Sequence, residues 1–203
     1  RQALGDFGSL PRGVGFAASG QRRGIAGRVA SQVRNLQGQV LDHDIEELVA
    51  DPESAWEMHN IAADAGKSIR IHLDINSSGM SRHSLDVSTP LGRACAVGIV
   101  SHPWLQLAGI MTHFPTDDNR HIEQGLWRFH GQAMTLLQLT GIPREDVLLH
   151  CANSYAAMHM PGSWLDMVRA GAVLYGDSDP AQGQFQRCLS FKARIASVNS
   201  YAT

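Results

Sequence analysis

Polar residues suited to binding an anion follow apolar stretches of this sequence. The stretch HLDINSSGMSR (72–82) begins as an apolar strand, breaks into small polar residues and ends at Arg82. A guanidinium fork suits a carboxylate or a cofactor oxygen. The stretch HCANS places Asn153 and Ser154 directly after another apolar run. Because a serine hydroxyl and the backbone N–H groups at a helix start suit a phosphate, this pair is a candidate phosphate site.

Two further stretches bring polar groups to the ends of apolar runs. His113 ends the run GIMTH, and Arg169 comes two residues before Gly171 in VRAGA. Arg169 could hold an anion or an aromatic ring nitrogen, and a glycine lets a ligand approach the backbone closely. These residues therefore extend the candidate list.

Each candidate also has a simpler structural interpretation when it is taken alone. Asn153 or Ser154 can cap a helix. Arg82 and Arg169 can be solvated loop arginines, and His113 can be a hydrogen-bonded core histidine. Their combination and their order along the chain favour a common site.

Apolar stretches alternate with helical patterns along the chain. In the helical pattern 51–66, Asp51 is a plausible N-cap, Pro52 occupies the first helical position and Gly66 follows the end. Further helical patterns cover 89–102 and 117–141, and the run 44–50 fits either a strand or a helix. Strand patterns cover 13–19, 27–34, 67–75, 105–114, 146–152, 170–176 and 190–200.

This alternation predicts an α/β fold with parallel strands buried on both faces. The sequence has no dinucleotide-binding fingerprint, and we favour a (β/α) barrel over an open doubly wound sheet. Functional residues of such barrels lie where the strands end and the following loops begin. We therefore expect the polar strand ends to meet.

Composition excludes some classes of function. The chain has 203 residues, of which 43% are hydrophobic, and a formal net charge of -2. Nothing indicates a basic surface for nucleic acid, and no apolar stretch has the length of a membrane span. Cys95, Cys151 and Cys188 form neither a zinc pattern nor a disulfide framework, and we interpret them as small buried residues.

Four stretches together resemble the alanine racemase family: HLDINSSGMSR, GIMTHFPTDD, LHCANSYAAM and LDMVRAGAVLYGD. NSSGMSR, with LDMVR and FKARIASVNSY, is more similar to the broad-spectrum amino acid racemases of that family. The resemblance implies a fold-type III pyridoxal 5′-phosphate enzyme. It implies a partial (β/α)8 TIM-type barrel over residues 1–186, which runs into the first strand of a C-terminal β domain at 187–203.

The resemblance implies roles for three residues around the cofactor ring. Arg169 would donate a hydrogen bond to the pyridine nitrogen and keep it unprotonated. Arg82 would bind the phenolic oxygen, and His113 would stack on or support the ring.

The resemblance also implies a phosphate site. Ser154 would bind the phosphate, helped by the backbone N–H groups of Gly171 and Ala172. Asn153 would lie behind these groups and support them.

The family chemistry needs two bases that this chain does not place at the expected positions. One is a lysine that forms a Schiff base with the cofactor, and the other is a tyrosine from the C-terminal domain. Lys67 and Lys192 are the only lysines, and neither lies near the end of a first barrel strand. Tyr155, Tyr175 and Tyr201 do not match the tyrosine's context. We therefore predict no catalytic base in this chain.

The expected function is thus a fragment of an amino acid racemase that is inactive by itself. Arg1 is not Met and the last stretch resembles a strand without a partner, so we expect an internal piece of a longer polypeptide. The alternatives are a non-catalytic barrel that holds pyridoxal phosphate or another anion, and a remnant without a ligand. The resemblance implies an amino acid substrate, a homodimer in the full-length protein, and a periplasmic location, with a cytoplasmic one as the alternative; we expect no nucleic acid, membrane or metal.

Overall fold

The structure is a computed structural model that describes residues 40–41, 43–80, 84–176, 185–188, 190, 192 and 194. The described strands are β1 (Glu47–Val49), β2 (Ile69–Asp74), β3 (Leu105–Met111) and β4 (Leu148–His150). The helices are α1 (Pro52–Ala65), α2 (Pro90–Val100), α3 (Asn119–Thr140) and α4 (Ser154–His159). Short 3-10 helices cover Arg144–Asp146, Pro161–Ser163 and Ala172–Tyr175.

The strands form one parallel sheet whose spatial order, β1-β2-β3-β4, follows the order of the chain. A doubly wound sheet reverses its strand order at a switch point, and the described strands contain no such reversal. Successive strands placed side by side through helical crossovers are the arrangement of a (β/α) barrel wall. The predicted α/β fold with parallel strands is therefore confirmed.

Local sequence explains where α1 begins and ends. The Asp51 side chain accepts a hydrogen bond from Ser54 N at 2.7 Å, and Pro52 occupies the first turn. Gly66 ends the helix with φ of 63°, a left-handed conformation that a residue without Cβ adopts at little cost. The helix predicted over 51–66 is confirmed.

Strand β2 has one apolar face and one polar face. Ile71 and Leu73 are fully or almost fully buried on the first face, which belongs to the main hydrophobic core. Since successive side chains of a strand point to opposite faces, Arg70, His72 and Asp74 share the other. Of these, His72 is completely buried. The polar face of β2 is where the candidate site is built.

The strand predicted over 170–176 is wrong. Residues Ala172–Tyr175 form a 3-10 helix, with Leu174 N donating to Gly171 O at 3.1 Å. Ser154 Oγ accepts the backbone N–H groups of Gly171 and Val173. Because these donors are already used, the segment turns instead of joining the sheet.

Several sequence expectations fall on parts of the chain that are not described. The strands predicted at 13–19 and 27–34 lie outside the described residues, as does most of 190–200. The boundary at 186/187 between a barrel and a β domain stays a prediction. The ambiguous run 44–50 contains a strand, β1. No helix within the described ranges is both long and apolar enough to cross a membrane.

Candidate functional site

Arg169 lies where the carboxyl ends of β3 and β4 meet. Its Nη1 is 3.0 Å from His150 Nδ1, and its Nη2 donates to Thr112 O at 3.0 Å. Nη2 also lies 3.3 Å from His113 Nδ1 and 3.4 Å from Cys151 O. The side chain is therefore held by groups from two strand ends, and it is not a solvated turn arginine.

The position of Arg169 follows from the segment that precedes it. Asp166 N donates to Leu149 O at 3.1 Å and Arg169 N donates to Ala152 O at 2.9 Å, so this segment runs beside β4. The Asp166 carboxylate also accepts from Leu149 N at 2.7 Å and binds Arg144 at 2.5 Å. These contacts fix the backbone that presents the guanidinium.

Ser154 gathers backbone donors from the chain that follows Arg169. Its Oγ accepts from Gly171 N at 3.1 Å and from Val173 N at 3.2 Å, and the residue is only 8% exposed. Ala172, which the sequence suggested as a donor, is the exposed residue between them. Because its oxygen accepts both N–H groups, the Ser154 hydroxyl proton is left to donate to an acceptor such as an anion.

Asn153 caps a helix, as its simpler interpretation proposed. Its Oδ1 accepts from Ala156 N at 2.9 Å, which makes it the N-cap of α4. The cap orients the first residue of this short helix, Ser154, toward the 171–173 segment. Asn153 thus supports the candidate phosphate site through the backbone.

Burial changes the acid-base properties around Arg169. Burial raises the pKa of Asp74 to about 6, although a hydrogen bond with Ser84 and the charge of Arg169 oppose the shift. Burial raises the pKa of the Cys151 thiol to about 12, so this thiol is not a nucleophile at neutral pH. Burial also lowers the pKa of Arg169, while Cys151 and Asp74 raise it. The site therefore combines a cation with a carboxyl group that titrates in mildly acidic solution.

Sequence analysis missed a chain of polar groups beneath Arg169. His72 Nδ1 lies 2.8 Å from His150 Nε2, and His72 Nε2 lies 2.7 Å from Glu46 Oε2. Both histidines are completely buried. The available signal was a histidine inside each of two apolar strands, although pairing them requires knowledge of the register.

The remaining candidates occupy different places. Arg82 lies outside the described residues, so its predicted contact with the cofactor stays a prediction. His113 lies beside Arg169 as described above.

Lys67 precedes the first residue of β2, about 20 Å along the strand from the end of β2 at which Arg169 lies. Tyr155 donates to Asn119 Oδ1 at 3.1 Å, and Tyr175 is 45% exposed. No described group of His, Cys, Asp or Glu has the arrangement of a metal site.

A protein-family profile described as "Alanine racemase, N-terminal domain" matches residues 17–179. The chain is 42% identical over 161 residues to a broad specificity amino-acid racemase of Pseudomonas taetrolens, covering 79% of this chain and 39% of that protein. It is 38% identical over 174 residues to a lysine racemase of Proteus mirabilis, covering 86% and 42%. The chain thus spans about two-fifths of the length of these relatives.

Solved structures show the same fold. The alanine racemase of Streptomyces lavendulae matches with a TM-score of 0.62 and 26% identity, over 74% of this chain and 41% of that one. The alanine racemase of Clostridium difficile 630 matches with a TM-score of 0.65 and 23% identity, over 75% and 41%. The described sheet and helices therefore correspond to part of the fold of these proteins.

Proposed function

Because this chain belongs to the alanine racemase family, whose N-terminal domain it matches over residues 17–179, we propose that it is the cofactor-holding part of an amino acid racemase. The proposed cofactor is pyridoxal 5′-phosphate. The relatives named broad specificity and lysine racemase support an amino acid substrate. A homodimer and a periplasmic location of the whole protein stay expectations from the resemblance.

The observation that carries the proposal is the Arg169 guanidinium together with a Ser154 hydroxyl that two backbone N–H groups of the following residues hold in place. Arg169 supplies guanidinium donors at the strand ends, and Gly171 and Val173 direct their N–H groups to the Ser154 hydroxyl. Pyridoxal phosphate carries a ring nitrogen and a phosphate, which need these two kinds of donor. The described residues therefore fit pyridoxal phosphate.

The chain's own residues would bind and orient this ligand. Pyridoxal phosphate withdraws electrons from the α-carbon of an attached amino acid, which lets the α-proton leave. A guanidinium only donates, so Arg169 would donate a hydrogen bond to the ring nitrogen and would leave that nitrogen unprotonated. The Ser154 hydroxyl would donate to the phosphate, and the backbone N–H groups of Gly171 and Val173 would fix the hydroxyl oxygen. His113 lies beside Arg169, and Arg82 would contribute from outside the described residues.

The proton transfers need groups that the described site does not supply. Inversion of the α-carbon needs a base on each face, and Lys67 lies at the opposite end of β2. We therefore propose that the bases of the whole racemase come from elsewhere, and that the 203-residue chain does not racemise amino acids. The lack of a suitably placed lysine among the described residues also favours a second candidate function, a non-catalytic barrel that holds pyridoxal phosphate or a related anion.

Titration of the purified chain with pyridoxal phosphate tests the proposal. Arg169→Ala and Ser154→Ala should each weaken binding about 10-fold or more, the equivalent of losing one charge-assisted hydrogen bond. Lys67→Ala and Ser101→Ala are the controls, because both residues are exposed and lie toward the other end of the sheet, Lys67 before β2 and Ser101 after α2. No binding by a chain with native circular dichroism would overturn the proposal.

A second measurement separates the two candidate functions. L-alanine and L-lysine are incubated in D2O with the chain and pyridoxal phosphate, and the α-proton signal is followed by NMR. Cofactor binding without deuterium exchange is expected for the chain alone. Exchange that exceeds that of free pyridoxal phosphate and is lost in Arg169→Ala would show a base within the chain, and it would contradict our placement of both lysines.

A further inference from the structure

We propose that Glu46 and His72 are positioning residues that act through His150 to fix the orientation of the Arg169 guanidinium. The inference rests on the proposed function for the identity of the ligand that Arg169 meets. It gives a role to two residues that would not contact the cofactor themselves.

The four side chains form one continuous series of hydrogen bonds. Arg169 Nη1 is 3.0 Å from His150 Nδ1, His150 Nε2 is 2.8 Å from His72 Nδ1, and His72 Nε2 is 2.7 Å from Glu46 Oε2. The series crosses the sheet from the segment beside β4 to the residue just before β1. Each ring nitrogen of both histidines is used.

The two ends of the series determine the position of every proton. A guanidinium only donates, so His150 Nδ1 accepts and the proton of this ring lies on Nε2. That proton is donated to His72 Nδ1, and the His72 proton therefore lies on Nε2. An ionised carboxylate only accepts, so Glu46 completes the series. Both histidines are thus neutral Nε2–H tautomers.

The surroundings favour the neutral form of both rings. Burial, helped by the charges of Arg70 and Arg169, lowers the pKa of His72 to about 4. Burial and the charges of Arg169 and His72 lower the pKa of His150 well below its usual value. Neutral rings are required by the proton positions, since an imidazolium could not accept from Arg169.

The backbone is shaped to let His72 reach His150 across β3. The register between β2 and β3 shifts after Ile71, so that Ala108 is bypassed and Gly109 lies opposite His72. A Cβ on Gly109 would lie 2.1 Å from His72 Nδ1. The absence of a side chain at this one position gives the ring its space, and a larger residue would separate the histidines.

Glu46 connects the buried series to the surface. Its side chain is 23% exposed, and its second oxygen pairs with Arg70. The Arg70 guanidinium thus balances the charge of a carboxylate that faces a buried ring. Without this acceptor, the His72 and His150 rings could take the other tautomer. His150 would then present an N–H to Arg169, and the guanidinium would lose one of the contacts that fix its plane.

The first test measures tautomers in the chain without any ligand. Long-range 1H–15N spectra of the labelled protein at pH 7 distinguish the two tautomers and the imidazolium. His72 and His150 are expected as Nε2–H tautomers. Glu46→Ala should mix the tautomers of both rings, whereas Glu46→Gln should preserve them because the amide oxygen still accepts. An Nδ1–H or charged His150 in the unmodified chain would overturn the inference.

The second test measures the effect on the ligand. Glu46→Ala, His72→Phe and Gly109→Ala should weaken pyridoxal phosphate binding about 5- to 10-fold, with Glu46→Gln close to the unmodified chain. Glu145→Gln, at an exposed site, is the control. If these variants fold and bind as the unmodified chain does, the inference fails. Absence of binding by the unmodified chain would instead refute the proposed function and leave the tautomer result intact.

Discussion

His72 and Asp74 lie two residues apart on the polar face of β2, and burial moves their pKa values in opposite directions. The pKa of His72 falls from 6.5 to about 4, and the pKa of Asp74 rises from 3.8 to about 6. In both cases the neutral form is favoured, since neither group can be fully hydrated. Glu46, Arg70 and Arg169 are the charged groups that face this pair.

These shifts predict how two substitutions change the pH dependence of stability. The unfolded chain protonates His72 near pH 6.5 and the folded chain only near pH 4, so His72 makes stability fall as pH falls through this interval. Its contribution is about 3 kcal/mol for a shift of this size. Asp74 acts oppositely, because the folded chain holds a proton between pH 3.8 and 6 that the unfolded chain loses.

Urea unfolding between pH 4 and 7 checks this prediction. Relative to the unmodified chain, His72→Phe should flatten the loss of stability on acidification, and Asp74→Asn should steepen it. Each variant is the control for the other, because the two groups share one strand face. Parallel curves for all three proteins would contradict the predicted shifts.

At the scale of single residues, sequence analysis could identify those functional residues that the end of a strand positions. His113 and Ser154 belong to this class, because each comes at the end of an apolar run whose direction is predictable. Arg169 instead precedes the run 170–176, whose predicted strand is wrong. The pairing of His72 with His150 depends on a register shift and on a glycine in the strand between them. A pattern within one strand contains no information about either.

At the scale of elements, the caps of α1 provide a separate prediction about stability. Both Asp51 oxygens bind Ser54, one through the backbone N–H at 2.7 Å and one through the hydroxyl at 2.8 Å. Asp51→Ala should therefore lower the free energy of unfolding by about 1 kcal/mol. Asp64 is an exposed acid in the last turn, where the helix dipole disfavours negative charge.

Asp64→Ala is the matched substitution with the opposite expected sign. It removes an unfavourable charge and introduces a better helix former, so stability should rise by a few tenths of a kcal/mol. Thermal and urea unfolding of the two variants at one pH give the comparison. Equal destabilisation by both substitutions would show that the cap contributes nothing specific.

Elements with local signals were predictable, and those determined by distant groups were not. The α1 helix carries its N-cap and its terminal glycine in the sequence, and its predicted and observed limits agree closely. The run 170–176 is apolar enough for a strand, but the Ser154 hydroxyl takes up two of its backbone N–H groups. That competition is a tertiary contact, and it produces a 3-10 helix.

At the scale of the whole molecule, the strand order brings the groups of the site together. With parallel strands in chain order, the ends of β3 and β4 lie on the same side of the sheet. Residues 72, 113, 154 and 169 are far apart in sequence, yet they depend on this one arrangement. A ligand held by residues 113, 154 and 169 should bind the folded chain and not the unfolded one.

This linkage predicts that pyridoxal phosphate stabilises the chain. At a ligand concentration about 100 times the dissociation constant, the gain is about 2.7 kcal/mol. Pyridoxal, which lacks the phosphate, should stabilise less, and Ser154→Ala should reduce the difference between the two ligands. Thermal unfolding with each ligand measures these effects.

Aldehydes react with any accessible lysine, so this prediction is best tested with a ligand that has no aldehyde. Pyridoxine 5′-phosphate has an alcohol in place of the aldehyde and keeps the ring nitrogen and the phosphate. It should stabilise the unmodified chain, and Arg169→Ala should reduce this stabilisation by about 1.3 kcal/mol or more at the same ligand concentration. Stabilisation by pyridoxal phosphate alone, unchanged in Arg169→Ala, would indicate reaction with Lys67 or Lys192 and contradict a site at the strand ends. Because binding to the strand ends requires the assembled sheet, the dependence on Arg169 distinguishes recognition by the fold from chemistry at the surface.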